Sequence, residues 1–155
     1  MSADFFPDFS AEARVWIYQA DRPLQPEEIQ DIEFQLLAFC KTWDSHGRPV
    51  KADAEIRDDL FIVLIAEQGV DNIGGCSMDR SVRLIQELGK KWDINFFNRL
   101  RLAVQSGNKW QLLDPPYPGF CSEALYHNNT ITRKGDWINR ILPVKGNWPQ
   151  QFLQQ

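Results

Sequence analysis

The residues best suited to chemistry stand together between positions 74 and 80, just ahead of a helical pattern. They are Gly74, Gly75, Cys76, Ser77, Asp79 and Arg80. A glycine pair lets the backbone approach a ligand closely, and the first amide groups of a helix have no partner within the helix. Such amides bind anions, with Ser77 as a further donor and Arg80 as a counter-charge. We therefore predict an anion-binding or ligand-binding site in this segment.

Cys76 is the candidate catalytic residue of the segment. The N-terminus of a helix favours the thiolate of a cysteine, which is its nucleophilic form. Asp79 opposes this effect, because a nearby negative charge disfavours a thiolate. In the alternative interpretation Ser77 only caps the helix, Asp79 complements the helix dipole and Cys76 packs under the turn. The sequence leaves both interpretations open.

Other chemical patterns are absent. The chain contains no GxxxxGK[ST] phosphate loop, no GxGxxG segment and no GxSxG nucleophile turn. Its three cysteines, Cys40, Cys76 and Cys121, form no CxxC pair, and the two histidines, His46 and His127, have no zinc-ligand spacing. We therefore expect no metal and no cofactor. Cys40 lies on a helical apolar stripe and is expected to be an inert core residue.

Two weaker patterns also bear on function. Ser122, Glu123 and His127 stand close in sequence, but catalytic groups converge in space rather than along the chain. Trp16 and Tyr18 on a strand are similar to the stacking aromatics of RNA-recognition domains. The basic glycine-aromatic signature of those domains is missing.

Composition limits the classes of partner and the location. The chain has 155 residues, 17 basic and 21 acidic, for a net charge of -4. An acidic balance argues against nucleic-acid binding, and the longest apolar run is too short to span a membrane. An odd number of cysteines and the lack of a secretory pattern at the start indicate a cytoplasmic protein with free thiols. A small ligand, a protein partner or a second copy of the chain remain as partners.

Hydrophobic periodicity predicts five strands and two helices. The predicted strands are 15–18, 51–57, 60–66, 98–105 and 109–113, and Gly107 between the last two indicates a hairpin turn. The predicted helices run from Pro26 to about Trp43 and onward from Asp79, the second with an apolar stripe of Val82, Ile85, Leu88 and Trp92. The run 60–66 is apolar throughout, which is typical of a strand buried on both faces. After Phe120 the pattern is compatible with short strands or a short helix.

The order of these elements predicts an α+β fold with a ferredoxin-like β-α-β-β-α-β core and a mainly antiparallel sheet. In that arrangement strands 15–18 and 60–66 are central, adjacent and parallel. We predict one domain over 1–155, with an N-terminal arm (1–12), the core (13–113) and a C-terminal extension packed on it (114–155). Two helices cover one sheet face, so the other must be covered by the extension, the arm or another chain.

The chain resembles a family of short uncharacterised bacterial proteins, some labelled "ABC transporter ATPase". The resemblance rests on residues 14–20, 61–64 and above all 75–82. The phosphate loop and LSGGQ-type signature of such ATPases are absent from this chain. The resemblance therefore implies no activity, and adds only that 75–79 is the family's hallmark segment.

Two functions remain at this stage. The first is a non-enzymatic binding or interaction module that uses an aromatic-rich sheet face or the C-terminal segment. The alternative is a thiol-dependent enzyme or redox sensor centred on Cys76. They differ in whether Cys76 faces a pocket with a second polar group.

Overall fold

The computed structural model describes residues 5–67, 73–117 and 123–152, and in these ranges it is α+β with antiparallel sheets. The strands are β1 (Arg14–Gln19), β2 (Asp44–Ser45), β3 (Arg48–Pro49), β4 (Ala52–Arg57), β5 (Phe61–Ala66), β6 (Leu102–Ser106), β7 (Lys109–Leu113), β8 (Leu125–His127) and β9 (Ile141–Pro143). The helices are α1 (Pro26–Thr42) and α2 (Gly75–Trp92), with 3₁₀ helices at Lys134–Asn139 and Trp148–Phe152. Neither α1 nor α2, the long helices of the described part, is apolar enough to cross a membrane.

The first sheet has the strand order β1-β5-β4, and both pairings are antiparallel. Every residue of β5 is buried, which confirms the predicted doubly covered strand. The predicted neighbours 15–18 and 60–66 do pair, with Ile17 opposite Val63, but the predicted parallel direction is wrong. An apolar run records burial on both faces and carries no information about chain direction.

The ferredoxin-like arrangement is not confirmed. That arrangement needs a fourth strand beside β1, whereas the predicted strand 98–105 contributes β6 to a second sheet, of order β7-β6-β8-β9. The strand also begins later than predicted, at Leu102. The strand does not reach back to Asn98, because the side-chain oxygen of Asn98 accepts the Leu100 N–H at 3.1 Å and holds a local turn. Residues 98–101 are therefore loop.

Helix α1 begins as its sequence predicts, with Pro26 in the first position. The Glu28 carboxylate accepts the Gln25 N–H at 2.8 Å and closes the helix start. It also pairs with Arg22 at 2.6 Å, which holds the pKa of Glu28 below its usual value. The apolar stripe Ile32, Leu36 and Cys40 packs against the sheet, so the predicted role of Cys40 as a core residue is confirmed.

Helix α2 begins at Gly75, earlier than predicted. The segment 75–79, predicted as a turn, is the first part of the helix. Two features conceal this start in the sequence. The N-cap is Gly74, which has no side chain to cap the helix. The buried positions of the first turns are Ser77 and Ser81, so the apolar periodicity is weak there. The later stripe, with Ile85 and Leu88 buried, is as predicted.

The sheet face opposite the helices is covered by both ends of the chain. Val15, Val63 and Ile65 pack there against Phe5 and Phe9 of the N-terminal arm and against Trp137. Phe5 and Trp137 stack with ring centroids 3.9 Å apart. This coverage is the one expected from the apolar character of both faces. The division of the chain into arm, core and extension stays a prediction.

The second sheet starts with the predicted hairpin. β6 and β7 pair antiparallel around Gly107, which has a positive φ of 62° suited to a tight hairpin turn. β8 and β9 then extend the sheet, separated by the first 3₁₀ helix. The described part of the C-terminal segment thus contains two short strands and two 3₁₀ helices, where the sequence favoured neither.

Candidate functional site

The predicted site at the start of α2 is bonded to the connection that follows α1. The Gly74 N–H donates to Ser45 Oγ at 2.9 Å, and Ser77 Oγ donates to the Asp44 carbonyl at 2.7 Å. Arg80 pairs with the Asp44 carboxylate at 2.7 Å. The predicted ligand groups therefore bind the protein itself and hold α2 against the β2–β3 hairpin.

Ser77 does not cap the helix, because it stands at the third helical position and bonds to Asp44. Asp79 is exposed and lies beyond the first turn. The glycine pair has one steric role: a Cβ on Gly74 would lie 3.0 Å from His46 Nε2, whereas a Cβ on Gly75 would meet nothing within 4 Å.

Cys76 is exposed on the first turn of α2, so it does not pack under the turn. It also lies outside the lining of the cavity described in the next paragraph. Cys40 is buried, and burial raises its pKa to about 12. Cys121 lies outside the described residues. The reactivity predicted for Cys76 stays a prediction. The described ranges contain no cluster of three His, Cys, Asp or Glu side chains able to hold a metal ion.

A cavity of about 420 Å³ lies elsewhere, between β1, the loop before β6 and the segment that follows β8. Its size is that of a small-ligand site. Aromatic and aliphatic side chains supply much of the wall. The polar lining residues are Gln19, Asn98, Arg99, Arg101, His127, Asn129, Thr130 and Thr132.

A chain of hydrogen bonds crosses this cavity wall and ends at His127. Gln19 Nε2 donates to the Arg101 carbonyl at 2.9 Å, Asn129 Nδ2 donates to Gln19 Oε1 at 2.9 Å, and His127 Nδ1 lies 2.7 Å from Asn129 Oδ1. A backbone carbonyl can only accept, so it orients the Gln19 amide and, in turn, the Asn129 amide. Asn129 Oδ1 therefore accepts a hydrogen bond from the His127 Nδ1–H. This chain fixes the tautomer, with Nε2 as a lone-pair acceptor.

No family model, curated protein or solved structure matches this chain. The function is inferred from the geometry of the site alone.

His127 is held neutral by its surroundings. Its ring stacks on Phe61, with centroids 3.9 Å apart, and meets the edge of Trp110 at 5.3 Å. The pKa of His127 is lowered to about 4, mainly because the ring is buried; the Asn129 hydrogen bond opposes this shift and nearby Arg140 adds to it. At neutral pH Nε2 can thus accept a hydrogen bond and carries no charge.

The charge in the cavity wall comes from arginine. Arg101 is bonded to both oxygens of the Asp114 carboxylate, at 2.9 and 2.8 Å. Arg99 is exposed and makes no ion pair within the described ranges. Its charge acts on Tyr18, where it opposes the rise in pKa caused by burial of the phenol. Among the residues that the structure describes, no carboxylate lines the cavity, so the site favours an anionic ligand.

The sequence did not predict this site. The sequence places His127 near Ser122 and Glu123, but its hydrogen-bond partner is Asn129. Gln19 and Asn129 are 110 residues apart, so no local pattern joins them. One signal in the sequence could have indicated the site. Gln19 stands at the end of an apolar strand, and a buried polar side chain must find a hydrogen-bond partner.

Proposed function

We propose that the protein is a non-enzymatic binding module whose ligand occupies the cavity between β1 and the C-terminal segment. The observation that supports this proposal is the chain of hydrogen bonds that runs from the Arg101 carbonyl through Gln19 and Asn129 to His127. Such a chain presents one fixed acceptor, His127 Nε2, in a largely apolar wall. The ligand therefore has a hydrogen-bond donor facing His127 and an anionic group near Arg99.

This proposal agrees with the expectation of a module that uses aromatic residues of the sheet and the C-terminal segment. Trp16 and Tyr18 line one side of the cavity, while Ile131 and Trp148 line the other. The β1–β5 pairing and the Asn129–Gln19 hydrogen bond hold these walls. A rigid site loses less conformational entropy on binding than a site that must be assembled.

The test is a nuclear magnetic resonance screen of small hydroxy acids and N-acetylated amino acids against the ¹⁵N-labelled chain. We expect ligands to shift the backbone amides of Ile17, Gln19 and Asn129. His127→Phe keeps an aromatic ring on Phe61 but removes the acceptor, so these shifts should disappear. His46→Phe, at the other histidine, is the matched control and should keep them. Ligands whose shifts persist in His127→Phe would refute the proposal.

The thiol alternative is supported only by the exposure of Cys76. Its neighbours Gly74, Ser77 and Arg80 are bonded to Ser45 and Asp44, which leaves few groups to orient a substrate. We also keep the cytoplasm as the proposed location, because three cysteines without a CxxC pair suit a reducing compartment.

A further inference from the structure

The outer edge of β1 is only partly paired. Near its start, the Val15 N–H donates to the Thr132 carbonyl at 3.0 Å, and the Lys134 N–H donates to the Ala13 carbonyl at 2.9 Å. Just past its end, the Ala20 N–H donates to Leu60, which leads into β5. Backbone groups alternate along a strand, so those of Val15, Ile17 and Gln19 point away from β5.

Pairing on this outer edge stops after Thr132. The Ile17 N–H and carbonyl, the Val15 carbonyl and the Gln19 N–H make no hydrogen bond to any residue within 5–67, 73–117 or 123–152. These residues line the cavity described above. Unpaired backbone groups away from bulk water are destabilising, and a free strand edge is a template for another strand.

We propose that the free edge of β1 binds an extended acidic peptide of about five residues, which adds a strand to the sheet. This inference rests on the proposed function and names the class of ligand. The peptide residue opposite Ile17 exchanges two hydrogen bonds with it. The peptide residue two positions away on the side of the strand end reaches the Gln19 N–H, while Thr132 keeps its place opposite Val15.

The positive charge of Arg99 favours an acidic peptide. Residues directly opposite each other in neighbouring strands point their side chains to the same face, so the peptide residue opposite Tyr18 lies on the face where Arg99 acts. An acidic side chain at that position meets the arginine. The described part of the cavity wall contains no carboxylate to oppose it. The segment 132–134 already pairs with the start of this edge through one antiparallel bridge.

The test uses the full chain and the blocked peptide acetyl-Val-Glu-Val-Glu-Val-amide, which has no terminal charge and presents an acidic residue in either direction. Titration calorimetry gives the affinity, and amide hydrogen exchange gives the contact. We expect exchange of the Ile17 and Gln19 amides to slow by roughly tenfold or more when the peptide is bound. The same peptide N-methylated at all three valines should not bind, because the N–H groups that face β1 are lost.

Two further controls address charge. Arg99→Gln should weaken the peptide about two- to fivefold, the range for an exposed ion pair, whereas Arg83→Gln, an exposed arginine on α2, should have no effect. The analogue with lysine in place of glutamate should bind more weakly than the acidic peptide.

Three outcomes would overturn the inference. Equal binding of the N-methylated peptide would exclude strand addition. Concentration-dependent dimerisation that protects Ile17 without peptide would assign the edge to a second copy. If the peptide does not bind while the cavity still binds small acids, the inference of a peptide ligand is refuted and the proposed function stands.

Discussion

Phe5 and Trp137 stack face to face, with ring centroids 3.9 Å apart and planes 1° from parallel. They come from opposite ends of the chain and meet over the sheet face that α1 and α2 do not cover. Arg57 lies above both rings, 5.7 Å from the centroid of Phe5 and 5.2 Å from that of Trp137. The two ends of the chain thus close the second face of the sheet together.

Truncation of Phe5 should destabilise the whole protein. Phe5→Ala removes a buried ring, and we expect a loss of about 3 kcal/mol in the free energy of unfolding, measured by urea denaturation. Phe34→Ala is the control, because Phe34 is 69% exposed on α1, and its effect should stay within about 0.5 kcal/mol. Equal effects of the two variants would mean that the arm does not contribute to the fold.

The stability should fall in mild acid because of His127. Its pKa is about 4 in the folded protein and 6.5 without burial. In the unfolded chain His127 therefore binds a proton below about pH 6.5, whereas in the folded protein it binds one only below about pH 4. Stability is unaffected above this window, and His127 should remove up to about 3 kcal/mol as the pH falls through it.

Denaturation of wild type and His127→Phe at a series of pH values isolates this effect. The lowered pKa values of carboxylates such as Glu28 and Asp31 add their own acid sensitivity, but they do so in both proteins. The difference between the curves should therefore change only between pH 4 and 6.5, in favour of the variant at the acid end. A constant difference would mean that His127 titrates normally.

Two glycines of α2 should respond oppositely to alanine. A Cβ on Gly89 would lie 2.4 Å from the Ile94 carbonyl oxygen, which is backbone. We expect Gly89→Ala to destabilise the protein by about 2 kcal/mol, as overpacking does. Gly75→Ala should leave the stability unchanged or raise it by up to about 0.5 kcal/mol, because its site is open and alanine favours helix. Thermal denaturation of both variants measures the contrast.

Alkylation of single-cysteine variants tests the thiol hypothesis. Cys40 should be inert, because a thiol with a pKa of about 12 has a thiolate fraction on the order of one in ten thousand at pH 8. Cys76 should react faster than Cys40 in the folded protein. If Cys76 is a working thiol, its rate near pH 6 should also exceed that of the same cysteine in urea. A rate equal to the unfolded rate would mean that Cys76 is merely exposed.

The sequence predicted what depends on neighbours along the chain. The run 60–66 indicated a strand buried on both faces, the Pro26–Glu28 segment indicated a helix start, and Gly107 indicated a hairpin. The predicted parallel direction of β1 against β5 is wrong, because burial leaves direction undetermined. The sequence also missed the cavity, whose wall joins Gln19 to Asn129 across more than a hundred positions. The chemical residues at 74–80 were recognised, but their bonds to Asp44 and Ser45 depend on tertiary packing.

The contact between Arg14 and Arg133 has a consequence for the order of folding. Sheet β1-β5-β4 is complete in sequence by Ala66, so a growing chain can assemble it early, as domains emerging N-terminus first can do. Thr132 and Trp137 are synthesised much later. Until then, β1 presents its full outer edge and the opposite sheet face lacks its tryptophan. We expect the nascent chain to be most prone to strand-mediated association during this interval.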